Sequence, residues 1–219
     1  MFPVLVGPPG CGKTTLACAV AAAFEQPVYL MNCSSDNRPE DLVVIPVIAS
    51  KGIRYQASGL VSAAVSGGIC ILDEANRMNE KTWASLASLL DDRRYVDSVI
   101  AGVKLRAHPE FRLVSTMNSD SSTFNIPDYI QSRLRPIIKV DPPARKELAA
   151  IVQHNVPGSS STFRDKVLDH LEKMVESGRL SSYSIRDAIQ IVRYGAKHKP
   201  ALSAEQAVQI TLGQGLRGG

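Results

Sequence analysis

The chain has 219 residues, of which 44% are hydrophobic and only 5% aromatic, so it can bury a largely aliphatic core in one large domain or two small ones. Its net charge of +4, from 25 basic and 21 acidic side chains, is modest, and no block of Lys and Arg indicates a nucleic-acid-binding arm. No apolar run approaches the ~20 residues that are needed to cross a bilayer, which argues against a membrane protein.

The first predicted elements are a buried strand over residues 4–6, a glycine-rich loop, and a helix over residues 14–24. The loop fits the pattern G-x-x-x-x-G-K-[ST], which is typical of phosphate-binding loops. Glycines let backbone N–H groups and the helix N-terminus face a phosphate, Lys13 can reach the β- and γ-phosphates, and the Thr14 hydroxyl can ligate Mg²⁺. An ordinary glycine turn before a helix is the alternative. The predicted cofactor-binding residues are Gly7, Pro8, Pro9, Gly10, Cys11, Gly12, Lys13, Thr14 and Thr15.

A second strand is predicted over residues 27–31, and the order strand–loop–helix–strand requires a parallel sheet. Further on, residues 39–42 could open a short helix, residues 53–56 could form one arm of a small hairpin, and residues 60–65 are predicted to be helical.

Two acidic residues, Asp73 and Glu74, close the continuous apolar run at residues 69–72. A strand that is apolar on both faces belongs at the centre of a covered sheet, and its carboxyl end should lie beside the phosphate loop. Asp73 is suited to the Mg²⁺ shell and Glu74 to polarising a water molecule for attack on the γ-phosphate. Alternatively, the two acids only cap the following helix.

The rest of the first 140 residues alternates between predicted helices and strands. These elements are a helix over 80–90, a hairpin over 94–105, a buried strand over 111–116 that leads into Asn118, a short helix over 127–133 and a strand over 137–140. After Asp141-Pro142-Pro143 the patterns are helical only, over 144–154, 163–176, 184–198 and 203–214, with Ser181 and Ser184 as candidate N-caps. We therefore predict an α/β nucleotide-binding domain at 1–140 and a small all-helical domain at 141–219.

The four cysteines form no C-x-x-C pair and have no histidine cluster near them, which favours reduced thiols over a disulfide framework or a zinc site. The N-terminal sequence Met-Phe-Pro lacks the features of a signal peptide. We expect a soluble, cytoplasmic protein.

Several segments in order along the chain resemble the motifs of AAA+ ATPases. The ten residues 69–78 look like the family's Walker B segment, and their ending Asp-Glu-Ala-Asn-Arg-Met resembles the MoxR and dynein/midasin-related branch in particular. Residues 55–60, followed by Gly67-Gly68, resemble the stretch that precedes Walker B, where this branch carries a hairpin insert. Residues 111–118 are similar to the sensor 1 strand, 131–136 to the arginine-finger segment, and 184–187 to sensor 2.

The resemblance implies a P-loop NTPase αβα sandwich with a parallel sheet and a C-terminal helical lid, which together hydrolyse ATP to ADP and phosphate with Mg²⁺. It assigns Asp73 and Thr14 to the metal, Glu74 to catalysis, and Asn118 and Arg186 to sensing the γ-phosphate. Arg133 would be the arginine finger that acts on a neighbouring subunit, with Arg135 as its competitor. A homo-oligomeric ring, hexameric by analogy, would remodel or activate a client protein.

Two other functions stay open. One is a nucleotide-gated binding switch with little turnover, and the other is a nucleic-acid-associated motor or loader, which the modest charge disfavours. The chain begins only a few residues before its phosphate loop, whereas family members usually carry an upstream helix and loop that contact adenine. A trimmed sequence, a divergent one and one module of a larger polypeptide all stay open, and adenine preference follows from the resemblance alone.

Overall fold

A computed structural model of the protein describes residues 1–50, 52–98, 100–119, 126–198 and 201–213. The chain divides into two compact units, Met1–Val140 and Asp141–Gly219. The last residue of the predicted helix over 203–214, and the remainder of the predicted helical domain to residue 219, lie outside the described residues.

The described part of the first unit contains nine strands, which we number in chain order. They are β1 (Val4–Gly7), β2 (Val28–Asn32), β3 (Val44–Ala49), β4 (Gly52–Ala57), β5 (Ile69–Asp73), β6 (Tyr95–Ser98), β7 (Val103–Arg106), β8 (Arg112–Asn118) and β9 (Ile137–Lys139). Its α-helices are α1 (Lys13–Ala22), α2 (Gly59–Ser66), α3 (Glu80–Leu86) and α4 (Asp128–Gln131). Two short 3-10 helices occupy Pro39–Leu42 and Ala75–Arg77.

Five strands form one parallel sheet in the order β2-β5-β8-β1-β9. The parallel sheet predicted from the strand–loop–helix–strand order is therefore confirmed. Strand β8 lies between β1, which leads into the glycine-rich loop, and β5, which ends at the acidic pair. As a result, the carboxyl ends of three neighbouring strands bring the loop, Asn118 and the acidic pair to one edge.

Both faces of this sheet are covered. Leu5, Ile69 and Ile71 pack on one face with the small residues Ala17 and Ala21 of α1. The other face carries the main core, to which α2 and α3 contribute. Its largest fully buried side chains include Trp83, Leu60, Leu72 and Leu86. The burial of strands on both faces explains the uninterrupted apolar run of β5.

Two hairpins stand outside the parallel sheet. Strands β6 and β7 pair as predicted, and β4 pairs antiparallel with β3. Strand β3 has no counterpart among the predicted elements. Most residues of the β3–β4 hairpin are exposed, including Ile48 at 91% and Ile53 at 67%, which face each other near its tip.

Helix α3 is shorter than the prediction over 80–90, and the predicted extension beyond Leu86 is wrong. The chain turns there, with the amides of Leu89 and Leu90 donating to the Leu86 carbonyl oxygen. Both leucines are nevertheless buried, so the apolar spacing continues although the helix does not.

The described part of the second unit is helical, with α5 (Arg145–Asn155), α6 (Ser161–Glu176), α7 (Ile185–Lys197) and α8 (Ala204–Leu212). Its core is aliphatic, centred on Val152, Leu168, Leu171, Ile191 and Val208. Ser184 is the N-cap of α7, and its hydroxyl accepts from the Asp187 amide. Ser181 caps no helix, so that prediction is wrong. Across the described ranges of both units, no helix combines the length and apolarity that a membrane span requires.

Candidate nucleotide-binding site

The glycine-rich loop joins β1 to α1 through two glycines with left-handed backbone, Gly10 at φ 73° and Gly12 at φ 96°. Gly12 is the N-cap of α1, no side chain caps this helix end, and its first turn contains no acidic residue. The first N–H groups of α1 and the positive end of its dipole are therefore free of a competing carboxylate. This is the geometry that favours a bound anion.

Lys13 is buried, and its ammonium group lies over the loop. Its Nζ donates to the carbonyl oxygens of Gly7, at 3.0 Å, and Pro8, at 2.8 Å. Nζ also lies 3.9 Å from Cys11 Sγ, a weak acceptor, so the ammonium is fixed at the loop and a phosphate oxygen would replace this weakest of its three contacts. Pro9 is exposed on the loop, and Thr15 is exposed on α1.

Gly7 is required at its position by close packing. A Cβ there would lie 2.1 Å from the carbonyl oxygen of Val140, which follows β9. The thiol of Cys11 is buried against the same oxygen at 3.5 Å. The loop is thus held by the chain beyond β9, and Cys11 fills space in it.

The two residues that were predicted to hold the metal are in direct contact. The Thr14 hydroxyl donates to Asp73 Oδ1 at 2.5 Å, bridging α1 and the end of β5. A hydroxyl and a carboxylate are the hard oxygen ligands that Mg²⁺ prefers, and Mg²⁺ typically takes few protein ligands and keeps waters and substrate phosphates. The described residues contain no cluster of three or more His, Cys, Asp or Glu side chains that could hold a metal ion.

Thr116 also contacts this pair, and the sequence analysis missed it. Its buried hydroxyl donates to Asp73 Oδ1 at 2.5 Å and accepts from the Glu74 amide at 3.1 Å. One side chain of β8 therefore orients both acidic residues, Asp73 at the end of β5 and Glu74 directly after it.

Glu74 lies directly after β5 in the left-handed region, with φ 54° and ψ 39°. Its Oε1 is 3.5 Å from the Asn118 side-chain nitrogen, and its Oε2 forms an ion pair with Arg77 Nε at 2.7 Å. The structure thus brings the predicted base and the predicted sensor together at adjacent strand ends. It adds Arg77, to which the sequence analysis gave no role.

Asn76 is a third residue whose role was not predicted from the sequence. It is 5% exposed, its Nδ2 donates to the Asn118 carbonyl oxygen at 2.8 Å, and its Oδ1 accepts from the Asn118 amide at 3.3 Å. Its spacing in the chain gives no hint of these contacts, because Asn118 is 42 residues away.

The two arginine-finger candidates differ in their surroundings. Arg133 is tied within its own chain, because it donates to the Tyr129 carbonyl oxygen and lies 3.8 Å from Asp91 Oδ2. Arg135 is exposed. Hydrogen bonding from Arg93, helped by the charge of Arg133, lowers the pKa of Asp91, so this carboxylate stays negative beside Arg133. Both arginines stay candidates.

The remaining predicted site residue, Arg186, belongs to the second unit. It is the second residue of α7, the helix that begins directly after the Ser184 cap, and it is exposed. Its sensing role stays a prediction.

Cys33 follows β2 and is buried close to the acidic pair. Burial, with the negative charges of Asp73 and Glu74, raises the pKa of Cys33 to about 12. Its thiol therefore stays protonated, and it serves as a small packing group behind the carboxylates.

Together, the strand–loop–helix, the buried Lys13, the Thr14–Asp73 contact and the parallel strand order define a P-loop nucleotide-binding fold of the AAA+ type. A model of one protein family matches residues 3–134, which is more than half of the chain. The protein accordingly belongs to the AAA domain family, dynein-related subfamily, and the predicted resemblance is confirmed.

Relatives of known sequence support this assignment. The chain is 38% identical over 118 residues to the denitrification regulatory protein NirQ of Pseudomonas aeruginosa, a match that covers 53% of this chain and 45% of NirQ. It is 28% identical over 188 residues to CbbQ of Hydrogenophilus thermoluteolus, covering 85% of this chain and 68% of CbbQ. The matched region thus spans less than half the length of NirQ. The crystal structure of NtrX from Brucella abortus shares the fold, with a TM-score of 0.62 at 17% identity over 93% of this chain and 48% of NtrX.

Proposed function

We propose that this protein binds ATP with Mg²⁺ and hydrolyses it to ADP and phosphate. The observation that carries the proposal is the contact between Thr14 and Asp73 beside Glu74 and Asn118. It supports the proposal because a hydroxyl, two carboxylates and an amide lie together at one edge of the sheet, where they would serve as two metal ligands, a general base and a sensor of the γ-phosphate.

In the proposed reaction, the loop amides and Lys13 hold the phosphates, while Thr14 and Asp73 hold the metal. Bound Mg²⁺ would neutralise charge on the phosphate oxygens. The Glu74 carboxylate accepts a hydrogen bond from the attacking water and aligns it with the γ-phosphate. The Asn118 amide, close to Glu74 Oε1, restricts where that water can lie.

The direct test compares Glu74→Gln with wild type in a phosphate-release assay, together with binding of a fluorescent ATP analogue. Because the substitution removes the base and keeps the shape, we expect kcat to fall about 10²- to 10⁴-fold with binding nearly unchanged. Glu110→Gln is the matched control, because Glu110 is exposed and distant in sequence from the acidic pair. Equal turnover by all three proteins would exclude Glu74 as the base.

A nucleotide-gated switch with little turnover is the second candidate, and the Glu74–Arg77 ion pair favours it. A carboxylate that is engaged by a guanidinium 2.7 Å away is less available to a water molecule. Under this alternative, wild type hydrolyses ATP slowly and Arg77→Ala accelerates it. If wild type turns over rapidly and Arg77→Ala is no faster, the switch is disfavoured.

We further propose a homo-oligomeric ring in which an arginine completes the site of the next subunit. Subunits carrying Glu74→Gln would be mixed with subunits carrying either Arg133→Ala or Arg135→Ala. Each defect lies in a different half of a shared site, so mixtures should regain activity at interfaces that combine two intact halves. Recovery with only one of the arginine variants identifies the finger, and co-assembly without recovery contradicts a shared site.

The outcome of turnover would be activation or remodelling of a client protein, in line with the name of NirQ as a regulatory protein. The Glu74→Gln form, held with ATP, is the suitable bait for its identification. A client should be recovered with this form in ATP and be released when ADP replaces ATP.

A further inference from the structure

We propose that Asn76 is a positioning residue that sets the place of Asn118 against Glu74. The inference rests on the hydrolytic function proposed above. It concerns a residue that would touch neither nucleotide nor metal, and that acts only through the backbone of Asn118.

Two neighbouring strands of the sheet end at different points. Strands β5 and β8 pair in parallel from Ile69 opposite Arg112 to Leu72 opposite Ser115. Strand β5 ends at Asp73, whereas β8 continues to Asn118. The end of β8 therefore extends past its neighbour and faces the space that further residues of β5 would occupy.

The backbone groups at the end of β8 point in alternating directions. In a parallel sheet, the N–H and C=O of one residue point to the same neighbouring strand, and those of the next residue point to the other. The Ser119 amide donates to the Gly7 carbonyl oxygen on the β1 side, at 3.1 Å. The N–H and C=O of Asn118 consequently face the β5 side, where no strand remains to pair with them.

The side chain of Asn76 takes the place of the missing strand. Its amide has the donor and acceptor of a peptide group, and it pairs with both backbone groups of Asn118, at 2.8 Å and 3.3 Å. Both residues are buried, at 5% and 8% exposure, so water does not easily replace these bonds. Few side chains other than asparagine can supply both functions at this distance from the backbone.

The two bonds between the Asn76 side chain and the Asn118 backbone, which we call the clamp, connect the segment after Glu74 to the residue that reaches Glu74. Asn76 lies in the 3-10 helix that directly follows Glu74, and Asn118 carries the amide that reaches Glu74 Oε1. The bond from Asn118 to Glu74 is long, at 3.5 Å, and cannot by itself hold the two side chains in register. The two buried bonds of Asn76 fix that register through the backbone.

The test uses Asn76→Asp and Asn76→Ala. The aspartate variant has the same size and retains an acceptor for the Asn118 amide, but an oxygen replaces the Nδ2 donor that faces the Asn118 carbonyl. Because small displacements of positioned groups are costly to rate, we expect kcat to fall about 10- to 100-fold. KM and analogue binding should stay within about 2-fold of wild type, since the residue would not touch the nucleotide.

Asn79→Ala is the matched control for general destabilisation. Asn79 is another asparagine of the same segment, and its Oδ1 accepts from the Thr82 amide as the N-cap of α3. Its removal should lower the melting temperature and leave kcat within about 2-fold of wild type, because the lost cap weakens the start of α3 and does not move the strand ends. Wild-type kcat in Asn76→Asp, or an equal loss of kcat in Asn79→Ala, would overturn the proposal.

Hydrogen exchange separates this proposal from the ATPase proposal. In Asn76→Ala the Asn118 amide should exchange at least about 10-fold faster, while the amide of Val114, in the middle of the β5–β8 pairing, keeps its protection. If wild type hydrolyses no ATP, the proposed function fails, and the exchange rate of Asn118 alone decides whether the clamp exists. An unchanged rate overturns the clamp.

Discussion

Replacing Thr116 with Val tests whether one hydroxyl holds the acidic pair in place. Thr116 is fully buried, and Val has nearly its shape, so the substitution removes the hydroxyl with little change in packing. It deletes the bond to Asp73 Oδ1, at 2.5 Å, and the bond from the Glu74 amide, at 3.1 Å.

The expected loss follows from these two bonds. A hydrogen bond to a charged group contributes about 1.5–3 kcal/mol, and leaving a buried amide unpaired costs about 1–3 kcal/mol. The bond to Asp73 contributes less than this full value to the free energy of unfolding, because the carboxylate is half-buried and keeps its bond from Thr14. We therefore expect the free energy of unfolding to fall by about 2–4 kcal/mol.

The assay is urea denaturation followed by the fluorescence of Trp83. This is the only tryptophan of the chain, and it is buried in the first unit, so it reports on the unit that contains Thr116. With a slope of about 2 kcal/mol per M, the midpoint should fall by about 1–2 M.

Thr116→Ser is the matched control, because it keeps the hydroxyl and loses a buried methyl group, at a cost of about 1 kcal/mol. It should also keep most ATPase activity, whereas Thr116→Val should lose it. If the valine variant is as stable as the serine variant, the bridging role of this hydroxyl is refuted.

Three further predictions concern packing and thiol chemistry. Gly7→Ala should weaken binding of a fluorescent ATP analogue about 10-fold or more, because the new Cβ would overlap a backbone oxygen, at a cost of about 1–3 kcal/mol. Gly158→Ala is the control and should bind normally, because its Cβ meets nothing within 4 Å. Equal affinities of the two variants would contradict the predicted overlap at Gly7. With a pKa of about 12, only ~10⁻⁴ of Cys33 is thiolate at pH 8. Iodoacetamide should therefore modify the half-buried Cys18 before Cys33, as measured by mass spectrometry. Early labelling of Cys33 would contradict its burial. Gly195→Ala should lower the melting temperature measured by circular dichroism, because its Cβ would lie 2.3 Å from the Phe163 ring of α6. A melting temperature at or above that of Gly158→Ala would refute this clash.

The parts of this protein that were predictable from sequence are those with a local physical cause. The glycine-rich loop is recognisable because positive φ values and close approach demand glycine within a few residues of Lys13. Strand β5 is recognisable because burial on both faces demands an unbroken apolar run. The meeting of Asp73 with Thr14 also follows, once the parallel sheet is inferred, because parallel strands end at the same edge.

Other features depend on partners far away in the chain, and so leave no local pattern. Asn76 and Thr116 act on residues about 42 positions away, and each would pass for an ordinary polar residue. Strand β3 was missed because Pro46 interrupts its apolar run, and a proline within such a run argues against a strand. The end of α3 was missed because a buried turn continues the helical spacing of leucines.

The left-handed backbone of Glu74 has a consequence for how this position can be altered. An ordinary side chain in that conformation costs about 1–2 kcal/mol, so the chain gives up stability to present a carboxylate at this point. Glycine and asparagine are the residues that tolerate such a backbone best. Stability alone would favour them over glutamate at this position, so a substitution that removes the carboxylate need not weaken the fold.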